Sequence, residues 1–204
     1  TYGGDITFCE PKLEARGTTL AKVQAHTNAI EIHPYDNLKI IEGQASCAKE
    51  ILDEQPSTDI IICPVGGGGL LSGTLLSNHY FGNGSKVIAA EPEMADDAYQ
   101  SIKKGEFVPS ENPQTIADGL LTSLGRYTYP IITTYLDDIM LVTETQIKQA
   151  LKLIYQYLKI VVEPSAVVGL AVVLSNPKYF REKNVVIILS GGNIDLNLLN
   201  TLIE

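Results

Sequence analysis

Four consecutive glycines, Gly66 to Gly69, follow directly after an apolar run at positions 59–65. Glycines let a chain turn sharply, so that several backbone N–H groups can point at one anion. The residues after Gly69 favour a helix, whose first turn carries free N–H groups and a partial positive charge. The sequence therefore predicts a phosphate-binding loop between a strand and a helix, with a plain flexible turn as the alternative.

The same loop is also compatible with a dinucleotide-binding site. The spacing of Gly67, Gly69 and Ser72 is close to the dinucleotide-binding fingerprint. Glu91 ends the next apolar run, at about the distance of an acid that binds a ribose. An NAD-dependent oxidoreductase is therefore an alternative function at this point.

A second loop, Ser190 to Asn193, follows the apolar run at 185–189 near the end of the sequence. It contains a hydroxyl and two glycines, which a dinucleotide fold does not require. Pyridoxal phosphate (PLP) has two polar ends, a phosphate and a pyridine nitrogen. One loop must therefore hold the phosphate, and another must face the nitrogen. The pair of loops therefore favours PLP.

An acidic turn follows the strand-like run at 86–90 and contains Glu91, Glu93, Asp96 and Asp97. Carboxylates this close repel one another unless a cation lies among them. Carboxylate and carbonyl oxygens suit Mg²⁺, with Mn²⁺ or Ca²⁺ as alternatives. A solvated acidic turn without a metal is the other interpretation of this segment.

Alternating elements must position these loops, because strand-like runs are separated by amphipathic ones. We predict strands at 6–9, 29–32, 59–65, 86–90, 139–142 and 185–189, and helices at 38–54, 70–79, 97–104, 145–159 and 165–174. Thr143 and Gln146 have the spacing of a capping box at the start of the fourth helix, and 104–128 predicts a long loop. The alternation indicates a doubly wound α/β fold with a parallel sheet.

Composition narrows the function classes. The 204 residues carry a formal net charge of −9, and their basic residues are scattered, which argues against nucleic acid and anionic membranes as partners. The three cysteines are far apart, which is typical of reduced thiols in a cytoplasmic protein. No apolar run is long enough to span a bilayer. The opening residues Thr1 to Gly4 are typical of the middle of a protein.

Three segments in order resemble the signatures of serine racemases and threonine dehydratases, which are fold-type II PLP enzymes. They are Pro64 to Leu70, Ile116 to Gly119, and Leu189 to Asp195. The segment from Pro34 to Ser46 is similar to a further family segment, with Ala45 and Ser46 where Gly-Thr is commoner. The resemblance runs over essentially all 204 residues.

For the fold, the resemblance implies parallel sheets with flanking helices. Residues 1–33 would be the remainder of a small domain, and residues 34–204 the large PLP-binding domain. For the cofactor, it implies that the amides of Gly66, Gly67, Gly68, Gly69 and Leu70 cradle the phosphate. Ser190 would hydrogen-bond the pyridine nitrogen, and Glu163 would lie close to the ring, although Val167 stands where the family commonly has glycine.

For metal and substrate, the pattern E-P-x-x-A-D-D resembles the divalent-cation site of serine racemases. It implies that Glu91, the carbonyl of Ala95, and Asp97 bind the cation. Arg16 matches a residue that faces the substrate carboxylate, and Thr122 matches a position near the substrate.

For activity, the resemblance implies a cation-dependent serine racemase that also dehydrates L-serine and L-threonine, as a cytoplasmic homodimer. Threonine or 3-hydroxyaspartate dehydratase is an alternative. The family binds PLP through a lysine in a segment like S-x-K-x-R, and no lysine here has that context. We therefore expect that roughly the first third of the enzyme is absent, and that this chain alone is inactive or serves only as a PLP-binding fragment.

Overall fold

A computed structural model describes residues 3–10 and 12–203, apart from the side chains of Leu13 and Ile203. The chain divides into two compact units, Thr1–His33 and Pro34–Glu204. That these units correspond to a small and a large domain stays a prediction. The interpretation of the opening residues rests partly on Thr1 and Tyr2, which lie outside the described residues.

The first unit contains one helix among its described residues, α1 (Leu13–Thr27), which ends where Asn28 adopts a left-handed conformation with φ 56°. The strands predicted at 6–9 and 29–32 are wrong, because neither segment forms a strand. Phe8 and Ile30 are 89% and 90% exposed. An apolar run becomes a strand only when its backbone groups find a partner strand, and the described part of the chain offers none to these two runs.

The second unit is built on a parallel sheet, as the sequence predicts. Its described strands run in the order β3-β2-β1-β4. They are β1 (Ile60–Pro64), β2 (Lys86–Pro92), β3 (Asp138–Val142) and β4 (Val185–Ile187). Successive residues of β1 point to opposite faces, and helices cover both faces. Ile62 belongs to a buried apolar cluster with Leu151 and Val168, whereas Ile61 belongs to a second cluster with Leu52 and Leu71. Burial on both sides explains why β1 is apolar at every position.

Five of the helices described in this unit follow the predicted pattern with some differences in extent, and three others were not predicted. The described helices are α2 (Leu38–Glu54), α3 (Gly69–Phe81), α4 (Asp97–Lys104), α5 (Thr128–Tyr135), α6 (Glu144–Leu153), α7 (Val168–Ser175), α8 (Pro177–Phe180) and α9 (Leu196–Ile203). The capping box of α6 is confirmed by two hydrogen bonds. The backbone amide of Gln146 donates to the Thr143 hydroxyl at 3.2 Å, and the backbone amide of Thr143 donates to the Gln146 side-chain oxygen at 2.8 Å. A π-helical turn, Ile154–Leu158, ends that element. No helix in residues 3–10 and 12–203 is long and apolar enough to cross a bilayer.

The backbones of α2 and α3 touch at Gly73, and this contact fixes the helix that follows the glycine loop. A methyl group on Gly73 would lie 2.6 Å from the Ala45 amide nitrogen and 2.8 Å from the Ile41 carbonyl oxygen. Real carbon atoms do not approach backbone that closely, so any side chain here must push the helices apart.

We therefore predict that Gly73→Ala lowers the free energy of unfolding by about 1–3 kcal/mol. Urea denaturation measures this change. Gly43→Ala is the matched control, because Gly43 lies on α2 with open space around it and the added methyl should stabilise the helix by about 0.5–1 kcal/mol. Equal stability of the two variants would contradict the prediction.

Candidate functional site

The four-glycine loop joins β1 to α3 and is buried throughout. Gly68 caps α3 with φ 86°, a left-handed conformation that favours glycine. The first intrahelical bond runs from the Ser72 amide to the Gly68 carbonyl at 2.8 Å. The amides of Gly69, Leu70 and Leu71 therefore have no intrahelical acceptor. These free donors and the helix dipole make the loop suitable for a phosphate.

Neighbouring chain segments enclose this loop so tightly that only glycine fits. A methyl on Gly66 would lie 2.9 Å from the Cα of Leu120 and 3.2 Å from the carbonyl oxygen of Gly119. A methyl on Gly67 would overlap the ring of Tyr35. The hydroxyl of Ser72, in the first turn of α3, is buried without a hydrogen-bond partner among the described residues. The loop is thus a narrow polar cradle held by its surroundings.

The second loop lies beside the first because β4 pairs with β1, and the Ile188 amide continues the ladder to the Ile62 carbonyl at 3.0 Å. Glu163 holds this loop in place. Its Oε2 accepts a hydrogen bond from the Asn193 amide at 2.8 Å, and its own amide donates to the Gly191 carbonyl at 3.1 Å. Ser190 is exposed, so its hydroxyl is open to a ligand.

The segment around Gly119 connects the two loops. Its amide donates to the buried Ser165 hydroxyl at 2.9 Å, next to Glu163, while its carbonyl lies against Gly66. The three motifs quoted from the sequence therefore lie against one another at the carboxyl ends of β1 and β4. Ligands of open α/β sheets bind at this edge.

Glu91 lies at the end of β2 and is 1% exposed. Its Oε1 accepts from the Ala98 amide at 2.9 Å and its Oε2 accepts from the Tyr99 amide at 2.8 Å, so it caps α4. The pKa of Glu91 is raised to about 9, mainly by burial and also by the charges of Asp97 and Asp96, against the lowering effect of the two amides. Each oxygen of a carboxylate keeps a second lone pair, which remains available to a cation.

Asp97 begins α4 and is 5% exposed, and its Oδ2 is buried without a hydrogen-bond partner among the described residues. Burial raises the pKa of Asp97 to about 7. A cavity of about 280 Å³ lies beside it, lined in part by Ala95, Ser110 and Glu111. Buried carboxylates without a counter-charge suit a divalent cation. The described residues contain no cluster of three or more His, Cys, Asp or Glu side chains that could hold a metal. A cation site here would therefore need the Ala95 carbonyl and water molecules as further ligands.

The two predicted substrate residues have different settings. Thr122 is half-buried in the segment between Leu120 and α5 of the second unit. Arg16 is exposed on α1, which belongs to the first unit. Their roles towards a substrate stay predictions, as do the cofactor and cation roles above.

The sequence analysis assigned no role to two residues that contact the first loop, Tyr35 and Thr128, or to Asp36, which supports Thr128. Tyr35 packs on Gly67 and Gly69, Thr128 bonds the Gly67 carbonyl, and Asp36 bonds the residues that precede α5. Tyr35 and Asp36 belong to the segment from Pro34 to Ser46, whose similarity to a family segment was the signal that could have indicated a role for them. Nothing in the local sequence around Thr128 indicates its partner 61 residues away.

Comparison with known proteins agrees with this geometry. A family model described as pyridoxal-phosphate dependent enzyme matches residues 1–191. The β-hydroxyaspartate dehydratase of Paracoccus denitrificans is 44% identical over 97% of this chain and 63% of that protein. The serine racemase of Dictyostelium discoideum is 43% identical over 100% of this chain and 64% of its own length. The structure of maize serine racemase superposes with a TM-score of 0.92 at 38% identity, covering 98% of this chain and 62% of that one. The chain thus spans just under two thirds of the length of these relatives.

Proposed function

Because the chain belongs to the pyridoxal-phosphate dependent enzyme family, we propose that it forms the cofactor-binding part of a serine racemase that also dehydrates hydroxy-amino acids. The observation that carries this proposal is the contact between the two glycine loops and the Gly119 segment at one edge of the sheet. Similarity to a serine racemase and a β-hydroxyaspartate dehydratase supports the reaction class. L-Serine would give D-serine by racemisation, or pyruvate and ammonia by elimination of water followed by hydrolysis of the unsaturated amine. L-Threonine would be dehydrated and hydrolysed in the same way.

The residues present fit PLP. The amides of Gly66 to Gly69 and Leu70 would hold its phosphate, since the first turn of α3 offers free N–H donors there. A side chain on any of the four glycines would clash with its neighbours. When bound, the cofactor supplies an electron sink that lets the Cα proton and the β-hydroxyl of the substrate leave. Family membership excludes the NAD-dependent alternative, and the burial of Glu91 against α4 agrees with this, because a ribose could not reach it.

Ser190 would donate to or accept from the pyridine nitrogen. A neutral hydroxyl does not force the ring to stay protonated, as a carboxylate would, so the ring withdraws electrons less strongly. This moderate withdrawal suits elimination and proton exchange at Cα. Glu163 would set the position of Ser190 through its bonds to Gly191 and Asn193.

A divalent cation would be held by Glu91, the carbonyl of Ala95, and Asp97. Mg²⁺ is the first choice because the donors are hard oxygens, and Mn²⁺ and Ca²⁺ share this preference. The support is the buried Oδ2 of Asp97 and the upward-shifted pKa values of both carboxyls.

We further propose that Arg16 binds the substrate carboxylate, that Thr122 contacts the substrate, and that the working enzyme is a cytoplasmic homodimer. These assignments rest on the family resemblance. Cys9, Cys47 and Cys63 are free thiols, which is compatible with a reducing compartment. A 3-hydroxyaspartate dehydratase is the second candidate, since the Paracoccus relative carries that name at 44% identity.

No lysine of this sequence has the S-x-K-x-R context, so we propose that these residues alone do not turn over substrate. The chain should be assayed for D-serine and pyruvate with PLP and Mg²⁺, alone and mixed with the part of the Dictyostelium serine racemase that it does not span. We expect turnover only in the mixture. L-Threonine and 3-hydroxyaspartate, assayed in parallel, would separate the dehydratase candidates.

In that mixture, Ser190→Ala should lower turnover at least about tenfold, because the ring nitrogen loses its partner. Ser190→Thr keeps a hydroxyl and is the matched control. Robust turnover by the chain alone would overturn the proposal of a missing lysine. Absence of both PLP binding and turnover under every condition would overturn the proposed function.

A further inference from the structure

The hydroxyl of Thr128 is fully buried and bridges two backbone segments. It lies 2.8 Å from the carbonyl oxygen of Gly67 and 2.7 Å from the amide nitrogen of Gly125. A hydroxyl has one hydrogen, and an amide can only donate. The Gly125 amide must therefore donate to Thr128, and the single Thr128 hydrogen must go to the Gly67 carbonyl.

This bond fixes the orientation of one peptide plane in the glycine loop. In a planar trans peptide the carbonyl and the following N–H point in opposite directions. Since the Gly67 carbonyl points at Thr128, the N–H of Gly68 points to the opposite side. Between two glycines such a plane rotates with little resistance, so an outside restraint is needed to keep the N–H in one direction.

Asp36 in turn holds Thr128 in place. Its carboxylate accepts hydrogen bonds from the amides of Arg126, Tyr127 and Thr128 at 2.8, 2.7 and 3.3 Å, which are donors at the start of α5. The carboxylate can approach this closely because Gly125 has no side chain. A methyl group at that position would overlap the carboxylate. A negative charge at a helix N-terminus is favourable, so the Asp36 carboxylate stabilises the start of α5.

Resting on the proposed function, we propose that Thr128 is a positioning residue for the phosphate end of PLP, and that Asp36 anchors it. The Thr128 hydroxyl orients the Gly67–Gly68 peptide so that its N–H is preset for an anion, without touching the cofactor itself. The relay from Asp36 to Thr128 to Gly67 joins segments about 90 and 60 residues apart in sequence.

The test compares Thr128→Val, which keeps the shape without the hydroxyl, with Thr128→Ser, which keeps the hydroxyl. Dissociation constants are measured for PLP and for pyridoxal, which lacks the phosphate. Thr128→Val should bind PLP about tenfold more weakly and leave pyridoxal unchanged, whereas Thr128→Ser should stay within about twofold of the original chain. Thr134→Val is the matched control, since that exposed hydroxyl donates to the Pro130 carbonyl within the same helix.

A second measurement needs no cofactor. In glycine-labelled protein, the amide resonance of Gly68 should be single in the original chain and in Thr128→Ser, and broadened or doubled in Thr128→Val and Asp36→Asn. An unchanged Gly68 resonance in Thr128→Val would overturn the proposal, as would an equal loss of PLP and pyridoxal affinity. If the resonance changes but the original chain binds no PLP, the positioning role stands and the proposed function fails.

Discussion

Alanine in place of Gly67 is expected to weaken PLP binding by at least about 100-fold. The added methyl would overlap the ring of Tyr35, so either the ring or the loop must move. A displaced loop no longer aims its amides at the phosphate, and each hydrogen bond to a charged group contributes about 1.5–3 kcal/mol. Loss of two such bonds corresponds to about 100-fold or more in the dissociation constant. Titration of the chain with PLP, followed by the absorbance of the cofactor, measures the change.

Two further variants make this test specific. Gly43→Ala adds the same methyl in open space on α2 and should bind PLP as the original chain does. Tyr35→Ala combined with Gly67→Ala removes the ring that causes the overlap, so this double variant should recover much of the lost affinity. If Gly67→Ala bound PLP normally, the loop would not be the phosphate site.

A saturating divalent cation is expected to raise the midpoint of thermal unfolding by about 5–10 °C. A ligand at 100 times its dissociation constant stabilises the folded state by about 2.7 kcal/mol, and about 2–4 °C accompany each kcal/mol in a chain of this size. The reason to expect a tight site is that Glu91 and Asp97 are two buried carboxyl groups in the same turn. Scanning calorimetry with Mg²⁺, Mn²⁺ and Ca²⁺ measures the shift.

The control for this site is the neighbouring acid. Asp97→Asn should abolish the shift, whereas Asp96→Asn should keep it, because the Asp96 carboxylate accepts from the Gln100 side chain at 2.7 Å and is not predicted to be a ligand. Equal shifts in both variants would mean that the cation binds elsewhere.

The pH dependence of the cation-free chain has a definite sign. Glu91 has a pKa of about 9 when folded against 4.5 ordinarily, so between these values the folded chain binds more protons than the unfolded one. Its contribution to the free energy of unfolding therefore falls as pH rises through this window, by up to about 1.4 kcal/mol per pH unit. A cation displaces the same protons, so its stabilising effect should be larger at about pH 8 than at about pH 6.

The central strands and the glycine loop could be predicted because their signals are local. Continuous apolar runs ending in glycine predicted β1 and the start of α3, and the periodic pattern predicted α2 and α4 at their observed ends. The apolar runs at 6–9 and 29–32 gave the same signal and formed no strands, because pairing is decided by a partner and not by the run itself. Helix α5 was missed, since Pro130 lies inside it, where its first turn tolerates a residue that lacks an N–H.

The candidate site could be predicted only in part, for a similar reason. Glycines and acids at strand ends are visible in the sequence, and parallel strands gather such ends at one edge. The groups that hold them are distant in sequence. Ser165 bonds Gly119 across 46 residues, and Asp36 bonds Tyr127 across 91, and neither pair has a local pattern. Family resemblance supplied roles for the loops but none for these supports.

The pairing of β1 with β4 has a consequence for synthesis. The Asp59 carboxylate accepts from the Asn184 amide at the start of this pair, across 125 residues, and Ile62 pairs with Ile187. Closing so long a loop is slow compared with forming helices. While the chain emerges from the ribosome, β1 must wait for more than half of these residues to be made, with its apolar edge open to other strands. Chaperone binding to nascent chains that stop before β4 should therefore be stronger than to chains that include it.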